Sequence, residues 1–447
     1  MLLKEYKDVR KIYFIGIGGI SMSALAKLLS IYGYDVAGSD AVKGEELTKL
    51  AFYGVKSFVG EDHTRLALKD ADLVVYTDAI PKGNSEYQTA LFLRKKILSR
   101  VELLAEICKS FSNVITVAGS HGKTTCTSMC AHILKAVNAK FTAHIGGEDL
   151  TFGNFYSSGN DFFLTEACEY KKNILKLKPT TALLLNIDND HMECYQDEND
   201  LTDCFKRYCQ SAKTAFVCAD DKRCKNLGEF VNFGIDNVLA DYRAVDLRSY
   251  GERYAFTVEE YGKKLCQIKL KAIGRHNVYN ALGAFALMRS FGFHEREIKR
   301  GLENFQAVKR RFEDIGVYRG ASFVCDYAHH PREIVATVRT AKWTCKGKLY
   351  VVFQPHTYSR TKLLMGEFTE TLKSLDNLLI YKTFPAREKY DEAGSAKRLA
   401  ENVGSLYADD VCTLKTWLKS TVKDGDTVLF LGAGDIYYVA QYLLKDI

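Results

Sequence analysis

The stretch VITVAGSHGKTTCTSM (Val114–Met129) constrains this chain more than any other. An apolar run that favours a strand passes through glycines into Lys-Thr-Thr and then a helical pattern, the order in which a phosphate-binding loop is built. The regular motif asks for a glycine with four residues between it and Gly122, a position held here by Val117. The functional groups survive that loss. Gly119 and Gly122 let backbone N–H groups approach phosphate, Lys123 offers a point charge to β and γ oxygens, and Thr124 offers a hydroxyl to a divalent cation.

Such a loop needs a parallel sheet behind it, and the chain has the length and pattern for several. Its 447 residues are enough for about three average domains. From residue 11 to about 108, short β-rich runs (KIYFIGIGG, YDVAGSD, DLVVYTDAI) alternate with helical ones such as SALAKLLSIYG and RVELLAEICKSF. That alternation predicts βαβ units. A second block, residues 109–309, places strands at NVITVAG, FFLTEA, TALLLNI and AFVCA, then small alternating strands over about 238–272 and a helix at NVYNALGAFALMRSFG. A third, residues 310–447, has strands at SFVCDYA, KLYVVFQPH, NLLIYKT and TVLFLGAGD. The fold class is α/β.

Composition excludes several other classes. A net charge of +7 without a long basic block does not indicate nucleic-acid binding. No apolar run approaches the ~18 residues of a membrane span, and the first residues lack a secretory core, so the protein is expected in the cytosol. Thirteen cysteines cannot all pair internally, and none stand as C-x-x-C, so they read as small core residues.

Three groups of polar residues stand at predicted strand ends. In the first block Gly16, Gly18 and Gly19 end a strand and open a helix, where free N–H groups suit a diphosphate. The third glycine of a dinucleotide fingerprint falls on Ser21, and Asp40 closes the next strand at the distance of a ribose contact. In the second block Glu166 follows one strand, and Asp188, Asp190 and His191 follow another. Ligands of parallel sheets bind at carboxyl strand ends, so these segments and the loop are expected to face one crevice, with Thr124 and Glu166 as Mg²⁺ ligands. His276, Asn277 and Asn280 start a helix, where they either read an adenine edge or cap the helix. In the third block DYAHHPREI, FQPHTYSRTK and FPAREKYD form a candidate rim, whose Arg360 and Arg387 suit a carboxylate or phosphate.

Together GIGGISMSALA, GSD, GSHGKTTCTSM, EACEY, NIDNDH, GRHNVYNALGA, RRFE, DYAHHP, QPHTYSR and PAREK resemble, in order and at matching spacing, the Mur ligase family of peptidoglycan precursor synthesis. The resemblance covers essentially the whole chain. It implies a Rossmann-like N-terminal domain (1–108) for a UDP-sugar, a P-loop-type central ATPase domain (109–309), and a Rossmann-like C-terminal domain (310–447) that closes over the site. It further implies that Gly16, Gly18, Gly19, Ser21 and Asp40 serve the UDP-sugar. Gly119, Ser120, His121, Gly122, Lys123, Thr124 and Thr125 would hold ATP phosphates, with His276, Asn277 and Asn280 near adenine. Thr124, Glu166 and His191 would serve Mg²⁺. His329, His356, Arg360 and Arg387 would face the acyl phosphate or the amino acid, with Lys123, Glu166, His191, His329 and Arg360 as the catalytic set.

The activity the resemblance implies joins L-alanine to the lactyl carboxylate of UDP-N-acetylmuramate through an acyl phosphate, with release of ADP and phosphate, by a monomer or homodimer. Lys123 and Mg²⁺ would offset charge on the transferred phosphoryl group, and His191 or an aspartate would deprotonate the amine. Alternatives are a ligase that adds a whole tripeptide to the same sugar, an NAD-dependent dehydrogenase, and a nucleotide-binding module without catalysis.

Overall fold

The computed structural model describes residues 2–81, 83–251, 253–386 and 388–446, and they divide into two compact units. The first comprises residues up to 248 with 254–306, and the second comprises 249–253 with the chain from 307 onward.

The first unit opens with strands β1 (Lys11–Ile15), β2 (Asp35–Asp40), β3 (Lys56–Val59), β4 (Leu73–Tyr76) and β5 (Lys96–Ser99). Between them lie helices α1 (Ile20–Ile31), α2 (Glu45–Ala51), α3 (Leu66–Lys69) and α4 (Ser85–Phe92), and α5 (Arg100–Cys108) follows. The strands pair in parallel in the order β3-β2-β1-β4-β5. Parallel strands need crossover helices, which cover both faces; hence the near-continuous burial of Ile12–Ile15 in the central strand. Ser99 and Glu102 form a reciprocal capping box that starts α5.

A ten-stranded sheet follows in the same unit. In chain order its elements are β6 (Asn113–Ala118), α6 (Lys123–Ala136), β7 (Phe141–Asp149), β8 (Gly153–Ser157), β9 (Phe162–Glu166), β10 (Thr181–Leu184), α7 (Glu198–Ser211), β11 (Thr214–Cys218), β12 (Val231–Gly234), β13 (Tyr242–Tyr250), β14 (Arg253–Glu260), β15 (Lys263–Ile273), α8 (His276–Arg289) and α9 (Glu295–Asn304). The strand order is β15-β14-β13-β12-β11-β10-β6-β9-β7-β8.

The predicted strands at Val114, Phe162, Thr181 and Ala215 are all present. The antiparallel pair β7–β8 is not among the sequence expectations. Its residues mix apolar, polar and glycine positions without a clean period, and its place is set by pairing with β9 and by packing against α1. A buried polar seam joins α1 to this pair. Asn154 Nδ2 donates to Ile20 O (2.7 Å) and Ser23 Oγ (2.8 Å), while Lys27 Nζ donates to Asn154 Oδ1 (2.7 Å) and Glu46 Oε2 (2.9 Å).

The second unit contains β16 (Glu313–Tyr318), β17 (Ala321–Asp326), α10 (Pro331–Thr344), β18 (Leu349–Phe353), α11 (Tyr358–Leu363), α12 (Met365–Lys373), β19 (Leu378–Tyr381), α13 (Ala396–Val403), β20 (Leu406–Ala408), α14 (Val411–Thr421), β21 (Thr427–Leu431) and α15 (Ile436–Asp446). Its sheet runs β16-β17-β21-β18-β19-β20, parallel except for the antiparallel edge strand β16. Alternation along the strands fills two cores. Phe323, Val352, Val428 and Phe430 face one side, and Val324, Val351, Phe353 and Leu429 face the other.

Candidate active site

Strands β9, β6 and β10 are neighbours in one sheet, in parallel, with Val117 beside Glu166 and Ala118 beside Leu184. Their carboxyl ends therefore leave the sheet along one edge, and the glycine loop lies between the two acidic segments, as the strand-end reasoning expects. Gly119 and Gly122 sit at φ +136° and +84°, where a side chain is strained. A Cβ on Gly122 would stand 2.7 Å from Asn280 Oδ1.

The loop is laced to the end of β10. Asn186 Oδ1 accepts from His121 N (2.8 Å) and its Nδ2 donates to His121 O (3.0 Å). Ser120 Oγ donates to Asp188 O (3.1 Å) and accepts from Asp188 N (2.8 Å). His121 Nε2 lies 3.0 Å from Asp188 Oδ2. With its polar groups already held, the loop does not have to be ordered by an incoming phosphate.

Lys123 opens α6, and its Nζ lies 3.0 Å from Glu169 Oε2, a carboxylate with only 1% of its side chain exposed. Burial opposes the charge on Lys123, but Glu169 outweighs it with help from Cys168 and Asp190, so the ammonium pKa is raised. Ligand atoms of Glu169, Asp190 and His191 lie within 4.8 Å of one another. His191 adopts a left-handed backbone (φ +57°) at the start of a short 3-10 turn, but its side chain makes no cap. Instead it stands beside Asp190 and the ring of Tyr170, 5.1 Å away between centroids.

Glu169 is the residue that sequence reasoning missed. The acid pair in EACEY was its one visible signal, and Glu166, directly at the strand end, drew the assignment. Glu166 Oε1 accepts from Gly146 N (2.7 Å), which aims the carboxylate across the edge of the sheet. Thr124 is buried in the first turn of α6. Glu169 and Asp190 are carboxylates grouped closely enough, with His191, to hold a hard divalent cation.

At the start of α8, Asn277 Nδ2 donates to Ile273 O (2.7 Å) and Asn280 Nδ2 donates to Asn277 Oδ1 (2.9 Å). Neither side chain caps the helix, and both are buried. Asn280 thus lies under the phosphate loop, with His276 beside Gly274 at the helix entrance.

In the first glycine loop, Asp40 Oδ2 accepts from Gly18 N (2.8 Å), so the acid expected at the ribose braces the loop. Gly16 has φ +82° and Gly19 precedes α1. Ser21, in the first turn of α1, has its Oγ 2.8 Å from His144 Nε2 and accepts from Arg100 Nη1 at 3.2 Å.

The rim of the second unit is built at the ends of β17 and β18. Asp326 accepts from Phe312 N (2.7 Å) and Ala328 N (2.8 Å), and burial raises its pKa. His329 Nδ1 lies 2.9 Å from Tyr327 O, which places a proton on Nδ1. The rings of His329 and His356 are 6.0 Å apart, and His356 stacks on Phe384. His330 caps α10 through Nδ1. Arg360 lies on α11, which follows the β18 end. Arg387 lies outside the described residues.

Family models match the chain in three consecutive segments: Mur ligase family, catalytic domain, over 11–112; Mur ligase middle domain over 117–288; and Mur ligase, glutamate ligase domain, over 310–434. The chain is 38% identical to a UDP-N-acetylmuramate–L-alanine ligase of Acetivibrio thermocellus, covering 98% of this chain and 96% of the relative. It is also 38% identical to one of Clostridium beijerinckii, covering 98% of each. Among solved structures, the UDP-N-acetylmuramate-alanine ligase MurC of Thermotoga maritima superposes with a TM-score of 0.84 at 29% identity over 98% of both chains. A murein peptide ligase of Psychrobacter arcticus shares the fold, with a TM-score of 0.79 at 24% identity. With the phosphate loop, the acidic strand ends and all three segment matches in order along its whole length, the chain belongs to the Mur ligase family.

Proposed function

We propose that this protein is an ATP-dependent ligase that joins L-alanine to the lactyl carboxylate of UDP-N-acetylmuramate in peptidoglycan precursor synthesis. The observation that carries the reading is the placement of Lys123 beside Glu169, Asp190 and His191 at one sheet edge, next to Glu166. The names borne by relatives at 38% identity over nearly the full length supply the substrates. The proposal keeps residues 1–108 for the UDP-sugar, 109–309 for ATP and 310–447 for the amino-acid side. No helix among the described residues is long and apolar enough to cross a membrane. We place the protein in the cytoplasm, as a monomer or homodimer acting on small molecules.

The lactyl carboxylate oxygen attacks the γ-phosphorus of ATP while the bond to ADP breaks, which forms the acyl phosphate. Lys123 binds the oxygens on which charge accumulates, and the loop N–H groups hold the β-phosphate in line. Thr124, Glu166 and His191 would hold Mg²⁺, which would supply charge neutralisation at the phosphates. Glu169 and Asp190 keep Lys123 protonated throughout. The neutral amine of L-alanine then attacks the acyl carbon, loses a proton to His191 or an aspartate, and expels phosphate from a tetrahedral intermediate whose oxyanion requires a donor. His329, His356, Arg360 and Arg387 are assigned to the acyl phosphate and the carboxylate of the amino acid. Guanidinium groups bind carboxylates bidentately.

The test is phosphate release with ATP, Mg²⁺, UDP-N-acetylmuramate and single amino acids, with the peptide product identified by mass. Release that requires both the sugar and L-alanine is expected. Release indifferent to either would refute the ligase reading, and preference for a tripeptide would reassign the acceptor.

A further inference from the structure

Arg100 has no role in the site described above beyond its bond to Ser21, and strand register brings it there. Parallel pairing sets Ile15 of β1 level with Tyr76 of β4, and Tyr76 level with Ser99 of β5. One residue past that row stand Gly16, which opens the first glycine loop, and Arg100, which opens α5. Strands β1 and β5 lie two spacings of about 4.8 Å apart, with β4 between them, a gap that an arginine side chain can cross. The capping box of Ser99 and Glu102 fixes the first turn of α5, and with it the point from which Arg100 starts.

The guanidinium stands where positive potential already collects. Its Nη1 donates to Ser21 Oγ at 3.2 Å, in the first turn of α1, and most of its five N–H donors are left for a ligand. That helix end carries about half a positive charge, with no acid in its first turn and no side-chain cap. Among the described residues Arg100 makes no ion pair, whereas Arg65 of the same sheet rests on the buried carboxylate of Glu86 at 2.9 Å. A guanidinium that only braces a fold is held in that second way, because charge withdrawn from water needs a partner. The field of Arg100 also extends into the central sheet. Burial and then Arg100 hold the His144 imidazole pKa down to about 3, and burial and Glu169 raise the Cys168 thiol against Lys123 and Arg100. Cys168 is the neighbour of Glu169, the partner of Lys123, so Arg100 stands on the side of the first glycine loop nearest the phosphate loop.

We propose that Arg100 binds the diphosphate of the UDP-sugar and clamps it against the first turn of α1 from the β5 side. This rests on the ligase reading for the identity of the ligand. A diphosphate answers the guanidinium fork and the helix end together, and the planar fork binds phosphate oxygens bidentately where an ammonium cannot. The lactyl carboxylate is the second anion of the same ligand. The bond of Arg100 to Ser21, on the helix that the glycine loop opens, favours the diphosphate.

The test is calorimetric titration of UDP-N-acetylmuramate and of UDP, the latter also read by its displacement of the sugar nucleotide, together with thermal unfolding of the ligand-free proteins. It is run on the wild type, Arg100→Ala and Arg100→Lys. UDP carries the diphosphate without the lactyl carboxylate. Arg100→Ala should weaken both ligands by about 10- to 100-fold, the range for hydrogen bonds to a charged group. Arg100→Lys, which keeps the charge but loses the fork, should fall between Arg100→Ala and the wild type. A non-hydrolysable ATP analogue with Mg²⁺ should bind all three proteins within about twofold, because Lys123 and its loop hold those phosphates. No acid of the free protein depends on Arg100, so the ligand-free Tm of Arg100→Ala should stay within about 2 °C of wild type. Affinities of Arg100→Ala for both ligands within about threefold of wild type would overturn the proposal. A loss confined to UDP-N-acetylmuramate would also overturn it, by placing the lactyl carboxylate on Arg100 instead. An equal loss for the ATP analogue with a fall in Tm would overturn it by making Arg100 a brace of the fold. Failure of the wild type to bind the sugar at all would overturn the functional reading instead.

Discussion

Glu169 Oε2 lies 3.0 Å from Lys123 Nζ, so the cation of the phosphate loop is held by a buried acid. Removing one member of such a pair leaves the other charge uncompensated, which costs about 3 kcal/mol. Glu169→Gln should therefore lower the unfolding free energy of the nucleotide-free protein by about that amount. Phosphate oxygens then take over as partners of Lys123, so ATP with Mg²⁺ should shrink the deficit. Thermal or urea unfolding with and without nucleotide checks this, and an identical deficit in both states would contradict it.

Lys123→Ala removes the charge that meets the transferred phosphoryl group. Loss of one preorganised donor of this kind costs about 10²–10³-fold in turnover. Affinity for the UDP-sugar should stay within about threefold of wild type, because that site is assigned to the first sheet. Steady-state phosphate release and sugar titration measure the two effects separately.

Gly146 approaches Glu166 so closely that an added Cβ would stand 2.5 Å from Oε2. Its backbone φ is ordinary, so Gly146→Ala acts by displacing the carboxylate and not by straining the chain. The gain in ATP-analogue affinity that Mg²⁺ provides should fall about tenfold, equivalent to ~1.4 kcal/mol. Binding without Mg²⁺ should be unaltered, and titrations with and without the cation decide the matter.

His144 makes stability depend on pH. Its folded pKa, about 3, lies below the ordinary histidine value of about 6.5, so the unfolded chain binds the extra proton first. The stabilisation is complete above about pH 6.5 and is lost as pH falls toward about 3. Between pH 7.5 and pH 5 the wild type should lose about 2 kcal/mol that His144→Gln does not lose. Urea unfolding of both proteins at the two pH values reads that difference.

The strands ending at Ala118, Glu166 and Leu184 were legible because apolar runs bounded by glycine or acid identify strands locally, and parallel strands present their carboxyl ends together, although the expected strand ALLLNI runs three residues past the end of β10. The partner of Lys123 was not legible. Glu166 and Glu169 are both acids near one strand end, and only the turn after β9 decides which of them reaches the lysine. The asparagines of α8 were ambiguous for a similar reason. An adenine contact and a cap use the same side chains; the structure shows no cap, and the bonds Asn277 and Asn280 make instead are set by how α8 packs beneath the loop.

From its sequence alone the chain is committed to three α/β blocks and to a glycine loop ending in Lys123, because strand periodicity, glycine conformations and helix starts are properties of short segments. Tertiary structure decided that β7 and β8 join the sheet beside α1, that Glu169 holds Lys123, and that His144 bridges Ser21 to Thr165. Those contacts join residues from 21 to 123 positions apart, or turn on the exact exit of a strand, and strand register and helix packing set them rather than any local preference.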